Sequence, residues 1–300
     1  MRQKTKLRRS PLLITFIFIC VIIWLIGAYI VSGNKKETPL IDDFAGHSSA
    51  SIQTNTHKFS LSDYQTLTYE QLAEISSGYL LLINSDYRIP GDISSELTKV
   101  LDYVKTLNNE LTMNKDALVM LQAMFDSAAN AGYNEFRVTE GYRAHERQTL
   151  LYDSSPDKSL VALPGHSEHQ TGFAADISYH GVNIANSKQG AWLADNSYKF
   201  GFILRYPQHK TDITGIPYEP WHFRYIGQVH AYFCFKNDFV LEEYIEHLKT
   251  YGKITISFNG IEYIVYYLSD ANDTIEIPQN YIYSASSDNT GGIIATARNN

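Results

Sequence analysis

Ser167-Glu-His169-Gln-Thr-Gly172-Phe-Ala174-Ala-Asp176 is followed later in the chain by Glu219-Pro-Trp-His222. Two imidazoles and one carboxylate, His169, His222 and Asp176, make a ligand set for a tetrahedral zinc ion with one position left open, which is how hydrolytic zinc sites differ from closed structural ones. Glu219 is tied by two residues to His222, within reach of any proton that must move there. Pro220 forbids a helix interior, so this segment reads as extended or bulged rather than as the helical His-Glu-x-x-His arrangement.

Working outward, Gly172 opens a strand through Asp176 and Ile177, and Glu135 to Thr139 alternates as a second strand. It runs into Gly141-Tyr-Arg143 and a helix from His145 to Tyr152. Leu118, Leu121, Phe125 and Ala128 share one face of a helix over 117–129, with Gly132 as its stop. Further helices are predicted over 97–107, 192–200 and 241–250, and a strand over 202–206. Asn259-Gly260 between two apolar runs is a strong hairpin signal, and short strands over 274–277 and 293–296 complete a β-rich C-terminal region.

The pattern Ser-x-His-x-x-Gly-x-Ala-x-Asp followed by Glu-x-Trp-His resembles the signature of bacterial cell-wall zinc D-alanyl-D-alanine carboxypeptidases and dipeptidases, and the chain looks most like the membrane-anchored VanY type. Gly201-Phe-Ile-Leu-Arg-Tyr-Pro207 and Tyr218-Glu-Pro-Trp-His222 carry the likeness further. The resemblance implies an α+β fold, helices packed on a small antiparallel sheet that carries one Zn2+. It implies His169, Asp176 and His222 as ligands and Glu219 as general base and acid. Arg143 would brace the scissile carbonyl, and Gln148, Ser167 and Tyr206 would hold substrate. The implied reaction removes the terminal D-Ala of peptidoglycan stem pentapeptides, in nascent wall or lipid-linked precursors, and so takes away the end that glycopeptide antibiotics such as vancomycin bind. One departure is visible: Glu140 stands where the family usually has Ser before Gly-Tyr-Arg.

The ends of the chain suggest where this happens. Five basic residues lie within Met1 to Arg9, and Leu12 to Val31 is uncharged and almost wholly apolar. About 20 helical residues span a bilayer core, longer than the apolar stretch of a cleaved signal peptide. The expectation is a single-pass anchor over 1–33 and a polar tether over 34–77, ordered only near Tyr69 to Ile75. A catalytic domain over 78–252 and a β-rich appendage over 253–300 then lie on the extracellular face. Beyond Arg9, 20 basic residues face 32 acidic ones, a net charge of −12 that disfavours nucleic acid. Cys20 falls in the span and Cys234 in the exported part, so the two cysteines form no internal disulfide.

Three rivals share the sequence. Ser155-Pro-Asp-Lys158 and Ser287-Asp-Asn289 match two motifs of serine carboxypeptidases, but no Lys-Thr-Gly follows. A non-catalytic wall-binding module would close its zinc site with a fourth ligand, for which His166 and His180 are available. An L,D-carboxypeptidase acting on the tetrapeptide would carry the same motif.

Overall fold

The computed structural model describes residues 63–91, 97–180 and 183–300. The expected anchor and most of the tether lie outside these. Among the described residues no helix is long and apolar enough to cross a membrane.

Strand β1 (Tyr64–Thr68) leads directly into helix α1 (Tyr69–Glu74). Thr68 caps this helix in a capping box with Gln71, which satisfies two backbone donors at its start. The helix falls where the polar segment was expected to be ordered, and β1 extends that order ahead of it, with Leu67 and Leu72 buried. Short strands β2 (Leu97–Lys99) and β3 (Thr112–Asn114) then pair. The helix expected over 97–107 is instead β2 and one 3-10 turn, Val100–Asp102. Apolar spacing alone does not separate the two when a non-local partner such as β3 supplies the hydrogen bonds.

Asn114 caps helix α2 (Lys115–Asn130) by accepting from the amides of Asp116 and Ala117. Its Leu118, Leu121 and Ala128 are buried, as is Met124. Next come β4 (Phe136–Glu140), α3 (His145–Ser154), β5 (Ala174–Tyr179), α4 (Lys188–Asn196), β6 (Phe202–Leu204), the single turn α5 (Thr211–Thr214) and β7 (His222–Tyr225). The four strands form an antiparallel sheet in the order β4-β5-β7-β6. Its Phe136, Ile177 and Phe223 pack against the buried face of α2.

Helices α6 (Gln228–Asn237) and α7 (Leu241–Tyr251) lead to β8 (Lys253–Phe258), β9 (Ile261–Leu268), β10 (Thr274–Pro278), β11 (Tyr281–Ser287) and β12 (Ile293–Asn299). Asn259 and Gly260, both with positive φ, make the two-residue turn between β8 and β9. The second sheet runs β11-β12-β9-β8, while β10 pairs with β1. Residues 253–300 are joined to what precedes them by an apolar core in which Leu80, Val229, Tyr244 and Leu248 meet Ile256, Val265 and Ile294. Lys58 to Asn300 is one compact unit.

Candidate metal centre and active site

Strand register explains how distant residues converge. Asp176 on β5 lies directly opposite His222 on β7, and cross-strand partners have neighbouring side chains on one face. His169 sits in the 3-10 turn Glu168–Thr171, which closes on Gly172 at φ 75° just ahead of β5. The three residues offer ligand atoms that all lie within 4.8 Å of one another.

Each imidazole is oriented by its other nitrogen. His169 Nδ1 donates to the Gly141 carbonyl at 2.8 Å, leaving Nε2 3.4 Å from Asp176 Oδ1. His222 Nε2 meets Glu168 Oε2 at 3.2 Å, leaving Nδ1 3.1 Å from the same Asp176 oxygen. Such outer partners fix the tautomer of metal-binding histidines. Gly141 has no room for a side chain, since a Cβ would lie 2.6 Å from the Thr112 carbonyl oxygen.

Electrostatics point to a cation. Asp176 Oδ1 is buried without an aligned hydrogen bond, an orphaned acceptor that a metal ion would satisfy. Burial works to raise the Asp176 carboxyl, yet His169 and His222 hold it well below the usual carboxylate range. Burial works to lower His222, but Asp176 and Glu168 push it up to about 9. The surroundings thus favour positive charge where the three side chains converge. Imidazole nitrogens with one carboxylate oxygen suit zinc.

Glu219 opens a turn in which the His222 amide donates to its carbonyl at 3.2 Å, with Pro220 at the second position. Its Oε2 comes to 3.6 Å from His222 Nδ1. Burial pushes its carboxyl up, opposed by the His222 ring, which is the direction that suits a group required to take and return a proton.

Arg143 is fixed against the centre by its own amide, which donates to the His169 carbonyl at 3.0 Å. Nη1 donates to Gln148 Oε1 at 2.9 Å and Nη2 to Glu140 Oε2 at 3.2 Å, while buried Nε has no partner. Glu140 also receives Arg147 at 2.9 Å. The residue that departs from the family pattern is therefore a brace for Arg143. Gln148 is buried with both ends of its amide engaged, the second donating to the Ala162 carbonyl. Its place is behind Arg143. Ser167 is buried at the start of the 3-10 turn. The Tyr206 ring lies 4.8 Å from that of His222.

Sequence reading missed a buried charge network beneath the metal centre. Glu168 Oε1 accepts from Arg205 Nε at 2.7 Å and Arg224 Nη1 at 2.9 Å, and all three side chains are fully buried. Arg205 continues to Glu242 on α7 through two hydrogen bonds. Arg224 donates to the carbonyls of Tyr79 and Leu81. An arginine inside the apolar run Phe-Ile-Leu-Arg-Tyr was the available signal, because a buried charge demands a partner.

The rivals fare differently. His166 donates to the Asn84 carbonyl at 2.8 Å, the His180 ring meets that of Tyr179 edge-on, and neither joins the metal group. Lys158 reaches the Tyr152 carbonyl and Ser155 bonds the Asp157 carbonyl, so the Ser-x-x-Lys pair is not formed. In Ser287-Asp-Asn289, Asp288 is fully buried and accepts from Thr290, Gly292 and Tyr267, shaping a loop.

Comparison with known proteins agrees with this geometry. Residues 110–228 match the VanY family, D-alanyl-D-alanine carboxypeptidase. A D-alanyl-D-alanine carboxypeptidase of Enterococcus faecium is 36% identical over 241 residues, 77% of this chain and 78% of the relative. Among solved structures, the vancomycin-resistance D,D-dipeptidase VanXYg, in complex with a D-Ala-D-Ala phosphinate analogue, superposes with a TM-score of 0.68. It is 29% identical and covers 78% of this chain and 98% of its own. The LD-carboxypeptidase LdcB gives 0.53 at 40% identity, covering 57% and 86%. The chain belongs to the VanY D-alanyl-D-alanine carboxypeptidase family.

Proposed function

We propose that this protein is a zinc-dependent D,D-carboxypeptidase that removes the terminal D-Ala from peptidoglycan stem pentapeptides. The observation that carries the reading is the convergence of His169, Asp176 and His222 beside Glu219 and Arg143. Zinc, when bound, supplies Lewis acidity and brings the pKa of water at the site to about 7. The Glu219 carboxylate takes the proton of the attacking water and returns it to the departing amino group of D-Ala. The Arg143 guanidinium, braced by Glu140 and Gln148, faces the charge that develops on the scissile carbonyl; one such donor is typically worth about 10²–10³ in rate. Ser167 and Tyr206 contribute to holding the substrate beside His222.

Loss of the terminal D-Ala removes the end that glycopeptides bind, which makes reduced vancomycin sensitivity the expected consequence. The Leu12 to Val31 segment, with its basic flank, supports a single-pass anchor that holds the enzyme on the extracellular face of the cell membrane. Carbonate-resistant membrane association and protease sensitivity of whole cells test that placement.

D-Ala release from the pentapeptide tests the activity. Release that a chelator abolishes and penicillin leaves untouched is expected. Block by penicillin, or preferential cleavage of the tetrapeptide, overturns the reading in favour of a serine or an L,D enzyme.

A further inference from the structure

Residues 253–300 hold no chemistry of their own, yet one side chain from this region reaches the neighbourhood of the active site. Asn289 lies in the loop between β11 and β12, with φ 67°, a left-handed conformation that Asn and Gly adopt most readily. Its Nδ2 donates to two carbonyls at once, Leu82 at 2.9 Å and Arg88 at 2.8 Å. Both protons of one amide are thus spent on closing the loop 82–88. The Leu82 amide returns a bond to the Asp288 carbonyl at 3.0 Å.

The same loop is tied to the catalytic region at three further points. The Asn84 carbonyl accepts from His166, the Asn84 side-chain Nδ2 donates to Glu242, and the Ile89 backbone amide donates to the Gly165 carbonyl at 2.8 Å. The Arg88 side chain crosses Gly165 so closely that a Cβ there would meet its Nε at 2.4 Å. Immediately beyond the clamp, Arg88 and Pro90 form one wall of a polar cavity of about 430 Å³. Its other lining residues include Tyr142, His145, Glu146 and Gln170. Tyr142 and Gln170 are chain neighbours of Arg143 and His169, and the Arg143 amide donating to the His169 carbonyl at 3.0 Å holds those two segments of the lining beside the centre.

We propose that this cavity receives the stem peptide on the amino side of the scissile bond, and that Asn289 is the positioning residue through which the C-terminal sheet holds its Arg88–Pro90 wall in place. The assignment rests on the carboxypeptidase reading and gives the C-terminal region its role: it sets recognition of a long substrate without touching the reacting atoms. Arg88 and Glu146 in its lining give the cavity both charge signs, matching a peptide chain better than a simple anion.

The test compares two substrates with the full-length protein: the stem pentapeptide, and N-acetyl-D-Ala-D-Ala, which lacks the stem residues that the cavity would receive. Asn289→Gly keeps the left-handed backbone and deletes both donors. It is expected to raise KM for the pentapeptide about 3- to 10-fold, with kcat and the short-substrate parameters within about twofold. Arg88→Ala alters an exposed side chain and is expected to show the same selective rise, so the result stands even where the loop variant folds poorly. Equal effects on both substrates, or none on either, overturn the inference while leaving the carboxypeptidase reading in place. Absence of D-Ala release by the unaltered protein from both substrates overturns that reading itself.

Discussion

At the scale of single residues, Glu219 and Glu168 are both carboxylates beside His222, and their surroundings push them in opposite directions. Glu219 is partly open and pushed upward by burial. Glu219→Ala is expected to lower kcat by about 10²–10⁴ while the protein retains one equivalent of zinc by elemental analysis. Burial works to raise Glu168, but Arg205, Arg224 and His222 pull it far below the usual carboxylate range, so it remains ionised. Glu168→Gln leaves Arg224 buried without its carboxylate partner and Arg205 with Glu242 alone, and slackens the orientation of His222. Zinc affinity measured by chelator competition should fall about 10- to 100-fold, and denaturant unfolding should show a loss of roughly 3–5 kcal/mol. The ligand triad was legible because its two halves are short motifs, His169 through Asp176 and Glu219 through His222, and the family resemblance, not their spacing along the chain, joins the halves. Glu168 was not, because its partners lie 37 and 56 positions away, and no local pattern encodes such a separation.

At the scale of elements, His230 joins α6 to both α7 and β12. Its Nδ1 meets the Tyr244 hydroxyl at 2.6 Å and its Nε2 the Thr296 hydroxyl at 3.1 Å. Burial pulls its pKa down to about 3, against an unfolded value of about 6.5. Between those values the unfolded chain binds a proton that the folded chain refuses. Stability therefore falls as pH drops from about 6.5 towards 3, by about 1.4 kcal/mol per pH unit from this group. Urea unfolding of His230→Gln at pH 7 and pH 4.5 should show a shallower loss than the parent, by about 3 kcal/mol; equal slopes would remove His230 from this role. Helix α2 was readable from its apolar face and Asn114 cap, and β8–β9 from Asn259-Gly260. Helix α6 was not, since its aromatic residues point in several directions, with Val229, His230, Ala231 and Cys234 all buried. Strand β2 was lost for the converse reason: Leu97 and Val100 have helical spacing, while the partner that makes Leu97–Lys99 a strand lies beyond the next turn.

At the scale of the whole molecule, the C-terminal sheet shares its core with α6 and α7 rather than hanging from them. One cooperative thermal transition is expected, with metal-site and C-terminal probes melting together. Chelation should lower that transition without splitting it, because bound metal stabilises only the folded state; two separated transitions would show the sheet to be an independent domain. The pairing of β1 with β10 carries a mechanical consequence. Tension arriving along the chain ahead of Tyr64 must first shear the ladder Tyr64–Thr68 against Thr274–Pro278. The strands that carry Asp176 and His222 belong to a different sheet. Force applied there would thus load this ladder before the strands that carry the ion-binding residues, whose geometry would be spared.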